Sequence, residues 1–283
     1  MLTRREFILK TFEIGGFGAL AMMGLEREAR SWGIQPAAVS TAAGAAGAGG
    51  ISASANTFIC QIDDPVSGAN ETGAGLGLSG ANLVLTDRTG TIAGSVDEES
   101  RVIVETQEFN FTQGLCEAGL AAGDKWTIAL KVSDLTLGAG DVFFNVIQTG
   151  NADQIALTQD AQSNLLLSLK VDGVWDTSCE TANVLPAASS TPIWIVVCAP
   201  GGANKARAGW TTTAPSLSGG YYWPWSAFAA GNRDICDNTT GDFTGETLDT
   251  RMSFCGDGNG ETSMLGNFYT AVLSKLCLVD IAA

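Results

Sequence analysis

Trp126–Val132 reads WTIALKV, and its residues alternate with a period of two. In an extended chain Trp126, Ile128, Leu130 and Val132 share one face, and Thr127, Ala129 and Lys131 share the other. A strand with one apolar face requires a second layer to cover it. The pattern returns in NLLLSLKV, where Leu165, Leu167, Leu169 and Val171 align against Ser168 and Lys170. RVIVETQEF (Arg101–Phe109), DVFFNVIQ (Asp141–Gln148), DQIALTQ (Asp153–Gln159), TPIWIVVCAP (Thr191–Pro200) and FYTAVLSKLCLV (Phe268–Val279) are further β-rich runs. Turn clusters such as GAGD, TGNAD and DGVWD separate them. No capped helical stripe follows residue 55, and no repeat of fixed period is present. So many strands in one chain predict an all-β, two-sheet antiparallel jelly-roll sandwich.

Composition narrows the function. At 45% hydrophobic and 16% charged residues the chain is globular rather than disordered, and 35 glycines against 7 prolines suit many turns. A net charge of −15 repels phosphate backbones and anionic lipid, so no nucleic-acid partner is expected. There is no histidine, which removes Ser-His-Asp and Cys-His catalysis and the commonest metal ligand. The cysteines are Cys60, Cys116, Cys179, Cys198, Cys236, Cys255 and Cys277. Their number is odd, and none forms C-x-x-C. Cys198 and Cys277 lie in strand-like runs and are expected as small buried hydrophobes. Cys179, Cys236 and Cys255 lie nearer turns and are able to pair.

Near the start, TRREFILK (Thr3–Lys10) resembles the twin-arginine export motif: Thr3, Arg4, Arg5 and Phe7 match, Ile8 is conservative, and Lys10 falls one place late. The apolar stretch Ile14–Leu25 follows and is too short to span a bilayer. Glu26–Arg30, EREAR, supplies no clean small-residue cleavage site, and QPAAVSTAAGAA (Gln35–Ala46) offers cuts further on. Residues 1–38 are therefore expected to be a signal, an anchor or an assembly arm built on a short helix. Any membrane contact would come only through this segment, if it is retained. Residues 39–56, rich in Ala, Gly and Ser, read as a flexible linker, and residues 57–283 as the β-domain.

The order of runs carries a resemblance. WTIALKVSDL, DVFFNVIQTGNADQIALTQ, NLLLSLKVDGVW, TPIWIVVCAPGGANKARAGW and FCGDGNGETSMLGNFYTAVLSKLCL follow one another, and Gly266–Leu273 forms a closing apolar strand. This series is similar to the concanavalin A-like lectin/glucanase (laminin-G-like) superfamily over roughly residues 57–280. The resemblance implies a lectin-like jelly roll. Glucanases of that superfamily carry Glu-x-Asp-x-(x)-Glu on one strand, and this chain does not. Glu105 and Glu108 fall on opposite faces, as do Glu246 and Asp249 if extended. No catalytic residue is assigned, and a non-catalytic role is expected.

Two stretches are candidate sites. Asp257, Asn259 and Glu261 in CGDGNGET alternate as oxygen ligands for calcium would, and a plain glycine-rich turn reads the same way. GGYYWPWSAFAAGNRDICDN crowds Tyr221, Tyr222, Trp223, Trp225 and Phe228 into one loop, with Arg233 following and Trp210 upstream in ARAGW. Such aromatics serve as a glycan platform, a contact between subunits, or packing over a sheet. Two functions follow. One is a non-catalytic exported, periplasmic, cell-surface or extracellular protein that binds a glycan or cell-surface polymer. The alternative is a structural assembly protein, such as a phage virion or surface-layer component, whose partners are neighbouring subunits.

Overall fold

The computed structural model describes residues 50–61, 71–74, 82–87, 96–97, 100–103, 107–111, 125–136, 138, 141–147, 154–171, 174–201, 204–236, 251–256 and 265–283. All belong to the unit Ala48–Ala283. The twin-arginine-like segment, its expected helix and most of the linker lie outside these residues, as do Asp257, Asn259 and Glu261. No helix among the described residues is long and apolar enough to cross a membrane.

In chain order the strands are β1 (Thr57–Gln61), β2 (Glu71–Ala74), β3 (Asn82–Asp87), β4 (Val96–Asp97), β5 (Ser100–Ile103) and β6 (Gln107–Phe111). Next come β7 (Trp126–Thr136), β8 (Val142–Ile147), β9 (Gln154–Gln159), β10 (Asn164–Val171), β11 (Val174–Val184) and β12 (Ile193–Ala199). The last are β13 (Arg207–Thr211), β14 (Trp223–Pro224), β15 (Arg233–Ile235), β16 (Arg251–Phe254), β17 (Leu265–Ser274) and β18 (Val279–Asp280).

The strands form two antiparallel sheets packed as a sandwich. One runs β2-β1-β17-β7-β12-β13-β15, and the other β11-β10-β9-β8-β16-β6-β3. β3 turns the corner between them: Asn82 and Leu83 pair with β2, and Val84–Asp87 pair with β6. The alternation in WTIALKV maps directly onto this arrangement. Trp126, Ile128, Leu130 and Val132 point between the sheets and meet Leu165, Leu167 and Leu169 from β10. Phe144 and Phe254, cross-strand partners on β8 and β16, stack there with centroids 5.4 Å apart.

β12 is buried along its whole length because both of its faces are covered. Ile193, Ile195, Val197 and Ala199 enter the inner core. Trp194, Val196 and Cys198 face outward, with Ala129 and Val272, into a second apolar layer. That layer is roofed by Trp223, Trp225 and Phe228, by the C-terminal Cys277–Val279, and by Ile51. Ile51 is fully buried and Ser54 bridges Thr57, so the last part of the expected flexible linker is packed onto the domain.

Thr127 fastens the C-terminal segment to the sheet. Its buried hydroxyl accepts from Leu278 N at 2.9 Å and donates to Leu276 O at 2.8 Å. Thr127→Val keeps the shape and strands both backbone groups. Urea denaturation is expected to show a loss of about 1–3 kcal/mol.

Candidate functional site

Antiparallel pairing brings three loops to one end of the sandwich. β7 ends beside the start of β12 and of β17, β8 starts beside the end of β9, and β10 starts beside the end of β11. The β7–β8, β9–β10 and β11–β12 connections therefore lie together. Backbone bonds tie them: Asp134 N to Ser189 O at 2.9 Å, Ala188 N to Leu135 O at 2.9 Å, and Leu185 N to Ser163 O at 3.0 Å.

The backbone is strained at this end. Among the described residues the non-glycine positions with positive φ are Asp134 (50°), Ser163 (66°), Ala188 (45°) and Cys255 (65°); Ser163 and Ala188 stand in these loops, and Asp134 lies near the end of β7 that leads into the first of them. Such conformations cost free energy and persist only where neighbours enforce them. Register shifts bend β17 against β7 in the same region.

Polar groups without partners gather there as well. Gln159, at the end of β9, is 2% exposed. Its Oε1 accepts from Gly138 N at 3.1 Å, while its Nε2 has no hydrogen-bond partner among the described residues. Asp141 lies on the same glycine: a Cβ on Gly138 would stand 3.1 and 3.2 Å from its two carboxylate oxygens. Asp141 O accepts from Gln159 N at 2.8 Å, yet the buried Asp141 Oδ2 likewise has no partner among the described residues. Burial pushes the Asp141 carboxyl up to about 6. The Asp141 and Gln159 side chains thus both lie against Gly138, each with one buried atom unmatched, and buried polar groups left unmatched are costly.

Beside them Asp160 closes the β9–β10 turn. Its Oδ1 accepts from Gln162 N at 2.9 Å and Asn164 N at 2.6 Å, an Asx turn. Asp160 also hydrogen-bonds Glu180. Burial alone would raise Asp160, but the Asn164 amide, the Glu180 carboxyl and the other donors outweigh it and hold Asp160 low. The same hydrogen bond raises Glu180.

On the sheet side of this end, Ser133 Oγ donates to Asp134 Oδ2 at 2.9 Å and meets Tyr269 Oη at 3.0 Å. Asn267 Nδ2 donates to the same Asp134 oxygen at 2.9 Å. Lys131 Nζ sits 4.9 Å from the centroid of the half-buried Tyr269 ring. Gly266 permits this arrangement: its φ is 157°, and a Cβ would come within 2.8 Å of Ser133 O. Gly266→Ala is expected to cost about 1–3 kcal/mol in thermal unfolding, because backbone rather than a flexible side chain has to yield.

The aromatic loop folds inward. Trp223 is fully buried, its ring 5.4 Å from Trp194 at 60°, and its Nε1 donates to Thr213 O at 3.0 Å. Trp225 is buried against Phe228, with the Arg207 and Arg233 guanidinium groups 5.3 and 5.1 Å from its ring centroid. Arg233 also donates to the Trp225 carbonyl. Of the readings open to this loop, packing over a sheet describes Trp223, Trp225 and Phe228. Tyr221 and Tyr222 stay half-buried, Tyr221 closing a turn through Gly219 and Gly220 at φ 61° and 91°. Trp210 is half-buried against the inner core. The structure brings Arg233 to Trp225 and leaves Trp210 on the opposite side of β13. The sequence reading missed Asp134, Asp141, Gln159 and Asp160; the turn cluster GAGD was the signal for Asp141, Gln159 and Asp160 stand in the turn-forming run QDAQSN, and Asp134 carries no signal within its strand. No cluster of metal-ligating side chains occurs among the described residues.

No protein-family model matches the chain, and no curated protein matches it. Solved structures do. Domain 4 of AbnA, a GH43 extracellular arabinanase from Geobacillus stearothermophilus in complex with arabinotriose, is 12% identical with a TM-score of 0.45, covering 72% of this chain and 80% of that one. The CBM40 of Ruminococcus gnavus IT-sialidase is 14% identical at 0.44, covering 68% and 96%. Tailspike protein 2 from the Escherichia coli O157:H7 bacteriophage CAB120 is 16% identical at 0.41, covering 69% and 26%. Identities this low assign no family.

Proposed function

We propose that this chain is a non-catalytic β-sandwich module of an exported or surface setting that binds uncharged glycan through the loop end carrying Asp141 and Gln159. The carrying observation is the pair of buried, unmatched groups converging on Gly138. A carboxylate oxygen requires a donor, and an amide N–H requires an acceptor. One hydroxyl supplies both, and sugars are the ligands densest in hydroxyls. The rigid, cross-bonded loops lower the ordering cost of binding. The half-buried Tyr269 ring adds apolar surface at the same end. A charge of −15 and the acidic loops disfavour anionic sugars, so the ligand class is neutral.

Retention of the full chain on immobilised neutral and anionic polysaccharides tests this reading. Retention on a neutral polymer, competed by its oligosaccharides, is the expected result. Retention on neither, with the chain instead forming regular particles or filaments, would replace it by the assembly role.

A further inference from the structure

Four buried cysteines meet in two pairs. Cys198, on the outer face of β12, is the cross-strand partner of Thr127. Because the Thr127 hydroxyl grips Leu276 O and Leu278 N, Cys277 between them is held beside Cys198. Both thiols lie in the outer apolar layer, where Cys277 Sγ donates to Val279 O at 3.2 Å. The second pair closes the sandwich edge. Glu180 N donates to Asp234 Oδ2 at 2.9 Å, and Cys236 N donates to Ala206 O at 2.9 Å. These bonds fix the backbone on either side, and the Cys179 and Cys236 thiols both lie in the inner core.

We propose that Cys198–Cys277 and Cys179–Cys236 are two disulfide sites of this chain, closed by exchange with a small-molecule disulfide such as oxidised glutathione. Thiols whose backbones are held on both sides by these bonds and whose side chains share one packed layer need only a small approach and rotation to reach bonding geometry. Each bond joins segments distant in sequence. The first would fasten the C-terminal segment to its sheet, and the second would tie edge strand β11 to the segment after β15 in the opposite sheet. In the structure all four are free, buried thiols, as the sequence reading expects of Cys198 and Cys277, and the proposal adds an oxidised state to them.

Cys277 is the attacking thiol of its pair. It is the more exposed of the two, at 8% against 1%. The neighbouring Cys198 thiol lowers it, and the Lys125 and Arg207 charges add to that against the effect of burial. Its thiolate attacks one sulfur of glutathione disulfide and expels the first glutathione thiolate, which takes up the proton that Cys277 lost. The Cys198 sulfur, giving up its proton, then attacks Cys277 in the mixed disulfide and expels the second glutathione. Two protein thiols are oxidised, and one small disulfide is reduced to two thiols.

The test equilibrates the full, folded chain with reduced and oxidised glutathione, blocks remaining thiols, and maps its peptides without reduction. Cys198 peptides linked to Cys277, and Cys179 peptides linked to Cys236, are the expected products. Thermal unfolding of the oxidised chain is expected to rise by roughly 5–15 °C. Alkylation of all four as thiols, or linkage to other partners, overturns the proposal. Cys277→Ser is expected to abolish only the first link. Loss of both links from that variant, with its far-UV spectrum unchanged, would also overturn it.

Discussion

Trp223→Ala is expected to remove about 3–5 kcal/mol of stability, the range for truncating a large buried aromatic. The ring is fully buried between the outer face of the sheet and the C-terminal segment. Its loss opens a cavity beside Trp194 and frees Thr213 O from its indole partner. It also weakens the parallel pairing of Trp223 and Pro224 with Val279 and Asp280. Urea denaturation checks the magnitude, with the midpoint falling at an unchanged slope. Variant chains that remain folded are expected to keep their glycan retention, since the loops of the proposed site do not include this ring. A Trp223→Ala chain of wild-type stability that no longer bound glycan would restore the loop as a solvent-facing platform. Tyr221→Ala provides the contrast: a half-buried ring on a tight turn has far less packing to lose.

Side-chain direction explains why some of this was legible and some was not. A strand repeats every two residues, so WTIALKV and NLLLSLKV state which side chains face the core, and Trp126–Val132 and Leu165–Leu169 do so. TPIWIVVCAP lacks alternation because a roof covers its second face, and a continuous apolar run states that both faces are buried without naming the cover. The aromatic loop has no period. Its residue types declare a large apolar payload, and only tertiary structure decides that Trp223 and Phe228 turn inward while Tyr221 remains at the rim. The loop end was least legible. GAGD and QDAQSN signal turns, and nothing in them reveals that Gln159 and Asp141 converge on Gly138 or that Asp134 adopts a left-handed conformation. Cysteine spacing is equally silent, because Cys198 and Cys277 meet only once the C-terminal segment docks.

Asp141→Asn is expected to weaken glycan binding roughly 10–100-fold, the effect of losing a hydrogen bond to a charged acceptor in a buried setting. The pH dependence separates this from a structural effect. Asp141 titrates near 6 in the folded chain against 3.8 for the ordinary group, because burial disfavours its charge. A folded-state value above the unfolded one means that the native chain holds its proton longer. The associated stability is present at pH below about 4 and is lost as pH rises through about 6. Binding runs the other way. A sugar hydroxyl donates more strongly to a carboxylate than to a carboxylic acid, so affinity is expected to climb as pH rises through about 6 and then level off. Asn cannot ionise, so the variant should bind weakly at every pH, and its stability should no longer fall across that window. Calorimetric titration with a retained oligosaccharide at several pH values reads the first effect, and urea denaturation over the same range reads the second. Unchanged affinity in the variant would remove Asp141 from the binding site. An unchanged stability slope would show that solvent reaches the carboxyl, and with it that the convergence on Gly138 is no buried site. Both effects appearing together require one carboxylate that is costly to ionise in the free chain and is matched by ligand in the bound one.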